Sequence, residues 1–178
     1  MTRIAICGDS FSDITSRRTC IGRFEEGWSW VHGLQEHYEI DCYAHSGVSN
    51  LIIYDQVKQA KKTNSIIVTN VSSIARVTQM IDFKHPDISE DEIKKHNKKF
   101  AQWIAKNSDI CWTPFPGYDS ISEIDLITLE KENELYNKEL ESQTTKHHLT
   151  LKGNQILFSI IYEKIEGVLN ERSKHTVS

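Results

Sequence analysis

The chain has 178 residues, of which 38% are hydrophobic and 26% are charged, and these proportions exclude wholesale disorder. The length predicts a single domain over residues 1–178. Asp and Glu total 25 against 21 Lys and Arg, a formal net charge of −4, so the charge gives no reason to expect a nucleic-acid partner. No apolar run approaches the roughly 20 residues that span a bilayer, and the N-terminus lacks the apolar core of a signal peptide, so we expect no membrane partner.

Four cysteines are present, and none forms a C-x-x-C pair, which argues against a zinc ribbon or a thioredoxin motif. They are Cys7, Cys20, Cys42 and Cys111. Cys7, Cys42 and Cys111 lie in apolar, strand-like stretches, a pattern typical of buried free thiols in a reducing compartment. The sequence therefore favours a cytoplasmic protein, with a disulfide as the alternative.

The first half of the chain alternates predicted strands and helices. The strands are predicted at 3–7, 40–44 and 65–69, and the helices at 24–38 and 50–62. The third strand, Ser-Ile-Ile-Val-Thr, is apolar on both faces, which is typical of a parallel sheet covered by helices on both sides.

The second half begins less regularly, because residues 76–87 have no clear hydrophobic period. Ser89 and Glu92 then stand in the positions of a capping box and predict a helix that begins there. The remaining predicted elements are a strand at 109–113, a charged helix at 130–141 and a final helix at 151–169. Thr150 is the predicted N-cap of the final helix.

This alternation predicts an α/β fold, a three-layer α/β/α sandwich around a central parallel sheet. In such folds the chemistry collects at the carboxyl ends of the strands. This rule directs the search for site residues first to four loops: 8–12, 45–50, 69–73 and 113–119.

The first of these loops reads Gly-Asp-Ser-Phe-Ser and places Ser10 at a tight turn. Backbone N–H groups at such a turn stabilise negative charge on an acyl oxygen. A serine hydroxyl needs a base to become a nucleophile, and His148, just ahead of the final helix, is the candidate. Gly47 in the second loop and Asn70 in the third offer N–H groups to the same place. The structural alternatives are a helix cap for Ser10, a turn glycine for Gly47 and a cap or turn residue for Asn70.

These motifs resemble those of the SGNH hydrolases, also called the GDSL esterase/lipase family. Ser10 stands at the nucleophile position of the first motif, Gly47 at the glycine of the second, and His148-Leu-Thr-x-x-Gly-Asn matches the pattern around the catalytic histidine. The resemblance implies a flavodoxin-like sandwich that cleaves esters through an acyl-enzyme. The oxyanion would be held by the N–H groups of Ser10 and Gly47 with the Asn70 side chain, and no cofactor or metal is required.

The sequence departs from the family pattern in two places. The third motif is normally Gly-x-Asn-Asp, whereas here only Asn70 remains of it. The aspartate that normally precedes the catalytic histidine by three residues is replaced by Thr145, which cannot carry charge. A backbone carbonyl could orient His148 instead, or a carboxylate from the preceding segment. The candidate carboxylates are Asp119, Glu123 and Asp125.

We therefore expect a serine esterase or acylhydrolase that acts on a small ester or an acylated glycan. Its reaction requires no metal or cofactor. The alternative is a catalytically weak or inactive SGNH-like module that binds glycans or serves as a structural domain. A flavin- or nucleotide-binding protein is a more distant option, because the chain has no Gly-x-Gly-x-x-Gly or Walker loop. The spacing of Asp9 and Asp13 matches neither a phosphoryl-transfer nor an EF-hand loop.

Overall fold

A computed structural model describes residues 2–14, 28–63, 65–74, 76, 89–114, 149 and 151–176. The predicted helix at 130–141, the first part of the helix predicted at 24–38 and nearly all of the irregular segment at 76–87 lie outside these residues. Thr150, the predicted N-cap, and Cys20 also lie outside them.

Four parallel strands form the central sheet, in the order β2-β1-β3-β4. The strands are β1 (Arg3–Cys7), β2 (Glu39–Cys42), β3 (Ile66–Asn70) and β4 (Ile110–Trp112). Ile4 of β1 pairs with Ile40 on one side and with Ile66 on the other. The order is the 2-1-3-4 order of flavodoxin-like sheets, so the predicted parallel sheet is confirmed.

Helices cover both faces of this sheet. They are α1 (Trp30–Gln35), α2 (Asn50–Ala60), α3 (Glu90–Asn107) and α4 (Leu151–Thr176). The core on one face joins α1 and α4 to the sheet, and the core on the other face joins α2 and α3 to it. Ile4 and Ile6 point into the first core, while Ala5 and Cys7 point into the second, as the alternation of a strand requires. The predicted three-layer sandwich is confirmed.

The predicted start of α3 is confirmed in detail. The Ser89 hydroxyl accepts the backbone N–H of Glu92 at 3.3 Å, and the Glu92 carboxylate accepts the backbone N–H of Ser89 at 3.0 Å. These two bonds form a capping box and satisfy N–H groups that the helix leaves unpaired. Ala101 and Ile104 are fully buried on the inner face of the helix.

Two predicted helix ends differ from the structure. Helix α4 continues to Thr176, beyond the predicted end at residue 169. The apolar stripe ends near residue 169, but the polar residues that follow include no glycine or proline, so nothing stops the helix. The helix predicted at 24–38 ends at Gln35, because β2 already begins at Glu39. The Glu39 N–H donates to the carbonyl of Thr2, just before β1, at 3.0 Å.

Three cysteines lie within the described residues, and none of the three forms a disulfide. Cys7 and Cys111 are buried as predicted, while Cys42 is half-buried. Burial raises the pKa of Cys7 to about 12, so this thiol stays protonated at neutral pH. No described helix is both long enough and apolar enough to cross a membrane.

Candidate active site

Gly8 directly follows strand β1, at a position that requires glycine. Its φ is +148°, and a Cβ there would lie 1.9 Å from Oδ1 of Asn70. The Gly8 N–H donates to Oε1 of Gln56 at 2.7 Å. The absence of a side chain therefore lets the end of β1 lie directly against the end of β3.

Ser10 lies in a single helical turn that follows Gly8. The Asp9 carbonyl accepts the N–H groups of Ser12 and Asp13, each at 3.1 Å, and the Asp9 carboxylate accepts the N–H of Phe11 at 3.2 Å. Ser10 is 9% exposed. Among the described residues, no acceptor meets its own N–H. The turn thus places a serine hydroxyl and a backbone donor together at the carboxyl end of the sheet.

Asn70, at the end of β3, holds this turn in place. Its Oδ1 accepts the Asp9 N–H at 3.3 Å and the Ser12 hydroxyl, and its Nδ2 donates to Oδ1 of Asp9 at 2.8 Å. The side chain is fully buried. The structure therefore brings Asn70 to the Ser10 turn, where one amide hydrogen already binds Asp9. Its role as an oxyanion donor stays a prediction, which depends on the second hydrogen of Nδ2.

The carboxylate of Asp9 lies in the interior behind Ser10. It is fully buried, and its Oδ2 has no hydrogen-bond partner among the described residues. Burial raises the pKa of Asp9, while the hydrogen bonds from Asn70 and Phe11 and the charge of Arg76 act in the opposite direction. The Arg76 guanidinium is 4.0 Å from Oδ2. Asp9 thus has a structural role, which its place in the Gly-Asp-Ser motif could have indicated.

The loop after β2, which carries Gly47, runs beside the Ser10 turn. The His45 N–H donates to the Gly8 carbonyl at 3.1 Å. Ser46 donates its N–H at 2.9 Å and its hydroxyl at 2.7 Å to the same carboxylate oxygen, Oδ2 of Asp13. Gly47 follows, exposed, with a φ of +78° and no atom within 4 Å of where a Cβ would lie. Glycine is therefore favoured at this position by the backbone conformation and not by lack of space for a side chain.

The third loop is tied to the second through Asn50. Its Oδ1 accepts the Ser72 N–H at 2.8 Å, and its Nδ2 donates to the Ser72 carbonyl at 3.2 Å. Both residues are fully buried. The three loops that carry Ser10, Gly47 and Asn70 are therefore joined at one edge of the sheet, as the parallel topology predicted.

Several predicted site residues lie outside the described residues. They are His148, Thr145, Asp119, Glu123 and Asp125. Their roles, including the pairing of His148 with Ser10, stay predictions.

The described neighbours of Ser10 and His148 meet in one core. Phe11 follows Ser10, Leu149 follows His148, and both belong to the cluster between the sheet and helices α1 and α4. Leu149 is 3% exposed. The chain segments on which the two predicted catalytic residues stand are therefore both anchored on the same side of the sheet.

A path of hydrogen bonds links the same two segments. The indole Nε1 of Trp30 donates to the Phe11 carbonyl at 2.9 Å, and the backbone N–H of Trp30 donates to Oδ1 of Asn154 at 3.2 Å. Nδ2 of Asn154 donates to the Leu149 carbonyl at 3.2 Å. Trp30 is fully buried, and no local pattern in the sequence indicates this linking role.

Comparisons with known proteins connect this fold to esterase structures. No protein-family model matches the chain, and the curated proteins give no match. The esterase EstA from Pseudoalteromonas sp., inhibited by monoethylphosphonate, matches with a TM-score of 0.50 and 13% identity, covering 96% of this chain and 100% of its own. A GDSL-like lipase from Bacteroides thetaiotaomicron matches with a TM-score of 0.45 and 14% identity, covering 94% of this chain and 89% of its own.

An acetylxylan esterase from Geobacillus stearothermophilus, Axe2, solved as a catalytic mutant, matches with a TM-score of 0.47 and 15% identity. That match covers 92% of this chain and 94% of Axe2. The likeness to EstA covers nearly all of this chain and all of EstA, but it comes with only 13% sequence identity, so it concerns the fold. The chain has the α/β sandwich fold that is found in the esterase EstA.

Proposed function

We propose that this chain is a serine ester hydrolase of the SGNH type, formed by a single domain. Ser10 is the nucleophile and His148 the general base. The observation that carries the proposal is the placement of the Ser10 turn at the carboxyl end of β1, joined by direct hydrogen bonds to the loops of Gly47 and Asn70. Nucleophile and oxyanion donors must converge in this way for acyl transfer.

The reaction has two steps. In the first, the Ser10 hydroxyl oxygen attacks the ester carbonyl while its proton passes to His148, which then gives that proton to the leaving alcohol. In the second, His148 takes a proton from water, the hydroxide oxygen attacks the acyl-enzyme, and the carboxylic acid leaves as Ser10 regains its proton. The N–H groups of Ser10 and Gly47, with the second hydrogen of Asn70 Nδ2, hold the oxyanion in both steps.

The pairing of Ser10 with His148 is supported by the core contacts of their neighbours. Phe11 and Leu149 share one buried cluster, and the path through Trp30 and Asn154 holds their carbonyl groups at fixed positions. Leu149, the residue that follows His148 in sequence, is therefore fixed on the same side of the sheet as Phe11, which follows Ser10.

The orientation of His148 is the unusual part of this mechanism. Thr145 stands where the family has aspartate, so no charge at that position stabilises the imidazolium. We propose that a backbone carbonyl, or a carboxylate from Asp119, Glu123 or Asp125, orients the ring. Turnover slower than that of enzymes with the aspartate is the expected consequence.

For substrate, we propose a small ester or an acylated glycan, in keeping with the size of the domain and the resemblance of its motifs. Thiols that form no disulfide, as at the three described cysteines, favour a reducing compartment, and we propose the cytoplasm as the location.

Turnover of p-nitrophenyl acetate tests the proposal. Wild type is expected to hydrolyse the ester, and Ser10→Ala is expected to lose that activity. Ser65→Ala is the matched control, because Ser65 is also buried but lies before β3, at the opposite edge of the sheet. Equal rates for wild type and Ser10→Ala would refute the proposal.

A non-catalytic SGNH-like module is the second candidate, and Thr145 is the observation that favours it. A folded wild type with no turnover, whose Ser10 does not react with a fluorophosphonate probe, would establish this alternative.

A further inference from the structure

The carboxylate of Asp13 joins the two loops on which Ser10 and Gly47 stand. Asp13 closes the Ser10 turn through its N–H to the Asp9 carbonyl at 3.1 Å. Its Oδ2 accepts both the N–H of Ser46, at 2.9 Å, and the Ser46 hydroxyl, at 2.7 Å. The backbone of Asp13 is therefore part of the first loop, while its carboxylate binds the second loop.

Burial strengthens this connection. Asp13 is only 1% exposed. A carboxylate is costly to remove from water unless hydrogen bonds compensate it, and bonds to an ionised acceptor are about twice as strong as neutral ones. The two bonds from Ser46 are therefore well suited to fix the second loop against the first.

Within the described residues, hydrogen bonds join the second loop to the first from Tyr43 to Ser46. Along the chain, the Tyr43 N–H donates to the Ile6 carbonyl at 2.8 Å, the His45 N–H donates to the Gly8 carbonyl at 3.1 Å, and the Ser46 donors then meet Asp13. The next residue, Gly47, is exposed and has a positive φ. The residue directly before the Gly47 N–H is thus held by the Asp13 carboxylate.

We propose that Asp13 is a positioning residue for the oxyanion site: through Ser46 it fixes the Gly47 N–H relative to the Ser10 hydroxyl. The inference rests on the proposed function, since it assigns this role for ester hydrolysis. Asp13 does not touch the substrate, and it acts through the backbone of the second loop. None of the motifs that resemble the SGNH family includes it.

Asp13→Asn tests the role with little change in shape. The neutral amide oxygen is a weaker acceptor, so the Ser46 amide, whose N–H donates to Asp13, is expected to exchange with solvent at least tenfold faster in hydrogen-exchange NMR. A displaced oxyanion donor affects the transition state more than substrate binding, so kcat for p-nitrophenyl acetate is expected to fall about 10- to 100-fold while KM changes less than about twofold.

Two further variants separate positioning from general stability. Asp109→Asn is the matched control, because Oδ2 of Asp109 accepts the Ile67 N–H at 2.8 Å at the opposite edge of the sheet. It is expected to leave kcat and the exchange of the Ser46 amide unchanged. Ser46→Ala removes the 2.7 Å bond and keeps the 2.9 Å bond, so its effects are expected to lie between wild type and Asp13→Asn.

The two proposals fail in different ways. Unchanged amide exchange in Asp13→Asn would overturn the positioning role, as would faster exchange with an unchanged kcat. If Asp13→Asn does not fold, Ser46→Ala decides by the same two measurements. A folded wild type with no turnover and no labelling of Ser10 would instead refute the hydrolase, and the positioning role with it, while the exchange data would still report on the bond between the loops.

Discussion

Asn154→Ala would break the path of hydrogen bonds between the Ser10 turn and the segment of His148. Asn154 is 1% exposed, and its buried bonds include one from the Trp30 N–H and one to the Leu149 carbonyl, both at 3.2 Å. Alanine removes both bonds and leaves a buried donor and a buried acceptor unpaired. At about 1–3 kcal/mol for each such group, with partial compensation by water, we expect the free energy of unfolding to fall by about 2–4 kcal/mol.

Urea denaturation followed by tryptophan fluorescence measures this loss, because Trp30 and Trp112 lie in the affected core. Asn170→Ala is the matched control: Asn170 is exposed on the same helix, and its replacement is expected to change the free energy of unfolding by less than about 0.5 kcal/mol. We also expect Asn154→Ala to lower kcat at a temperature where it is fully folded, since Leu149 would no longer be fixed beside His148. A loss of stability no larger than that of Asn170→Ala would refute the reasoning.

Two further predictions concern backbone geometry and a half-buried histidine. Gly8→Ala should prevent folding or abolish activity, because its Cβ would lie 1.9 Å from Asn70, whereas Gly47→Ala should cost only about 1–2 kcal/mol of backbone strain; circular dichroism and denaturation compare the two. Burial lowers the pKa of His32. Its Nδ1 accepts the backbone N–H of Ser29 at 3.1 Å and lies 2.7 Å from the Ser29 hydroxyl. The unfolded chain therefore binds more protons, so stability is complete above about pH 6.5 and falls as the pH drops through the folded pKa. Stability measured across this range should fall less in His32→Gln, and parallel curves for the two proteins would contradict the assignment.

The strands and the start of α3 could be predicted because local sequence determines them. The sequence of β3 is apolar on both faces, and Ser89 and Glu92 form the capping box of α3 that their spacing indicates. The end of α4 could not be predicted from its apolar stripe, because the helix continues as an exposed polar helix that needs no buried face.

The loops of the site could also be predicted, since the carboxyl ends of parallel strands meet at one edge. The contacts that fix these loops could not. Asp13 and Ser46 are 33 residues apart, and Trp30 and Asn154 are 124 residues apart. Such pairs depend on the tertiary fold, and no local spacing in a single sequence indicates them.

The rate at which a fluorophosphonate modifies Ser10 tests the central claim most directly, because it measures a hydroxyl activated by an imidazole. Peptide mapping by mass spectrometry should place the adduct on Ser10. His148→Asn should slow the modification about 100-fold or more, as expected when a general base is lost, while the neighbouring His147→Asn should leave the rate unchanged. An adduct on another residue, or equal rates for wild type and His148→Asn, would contradict the account.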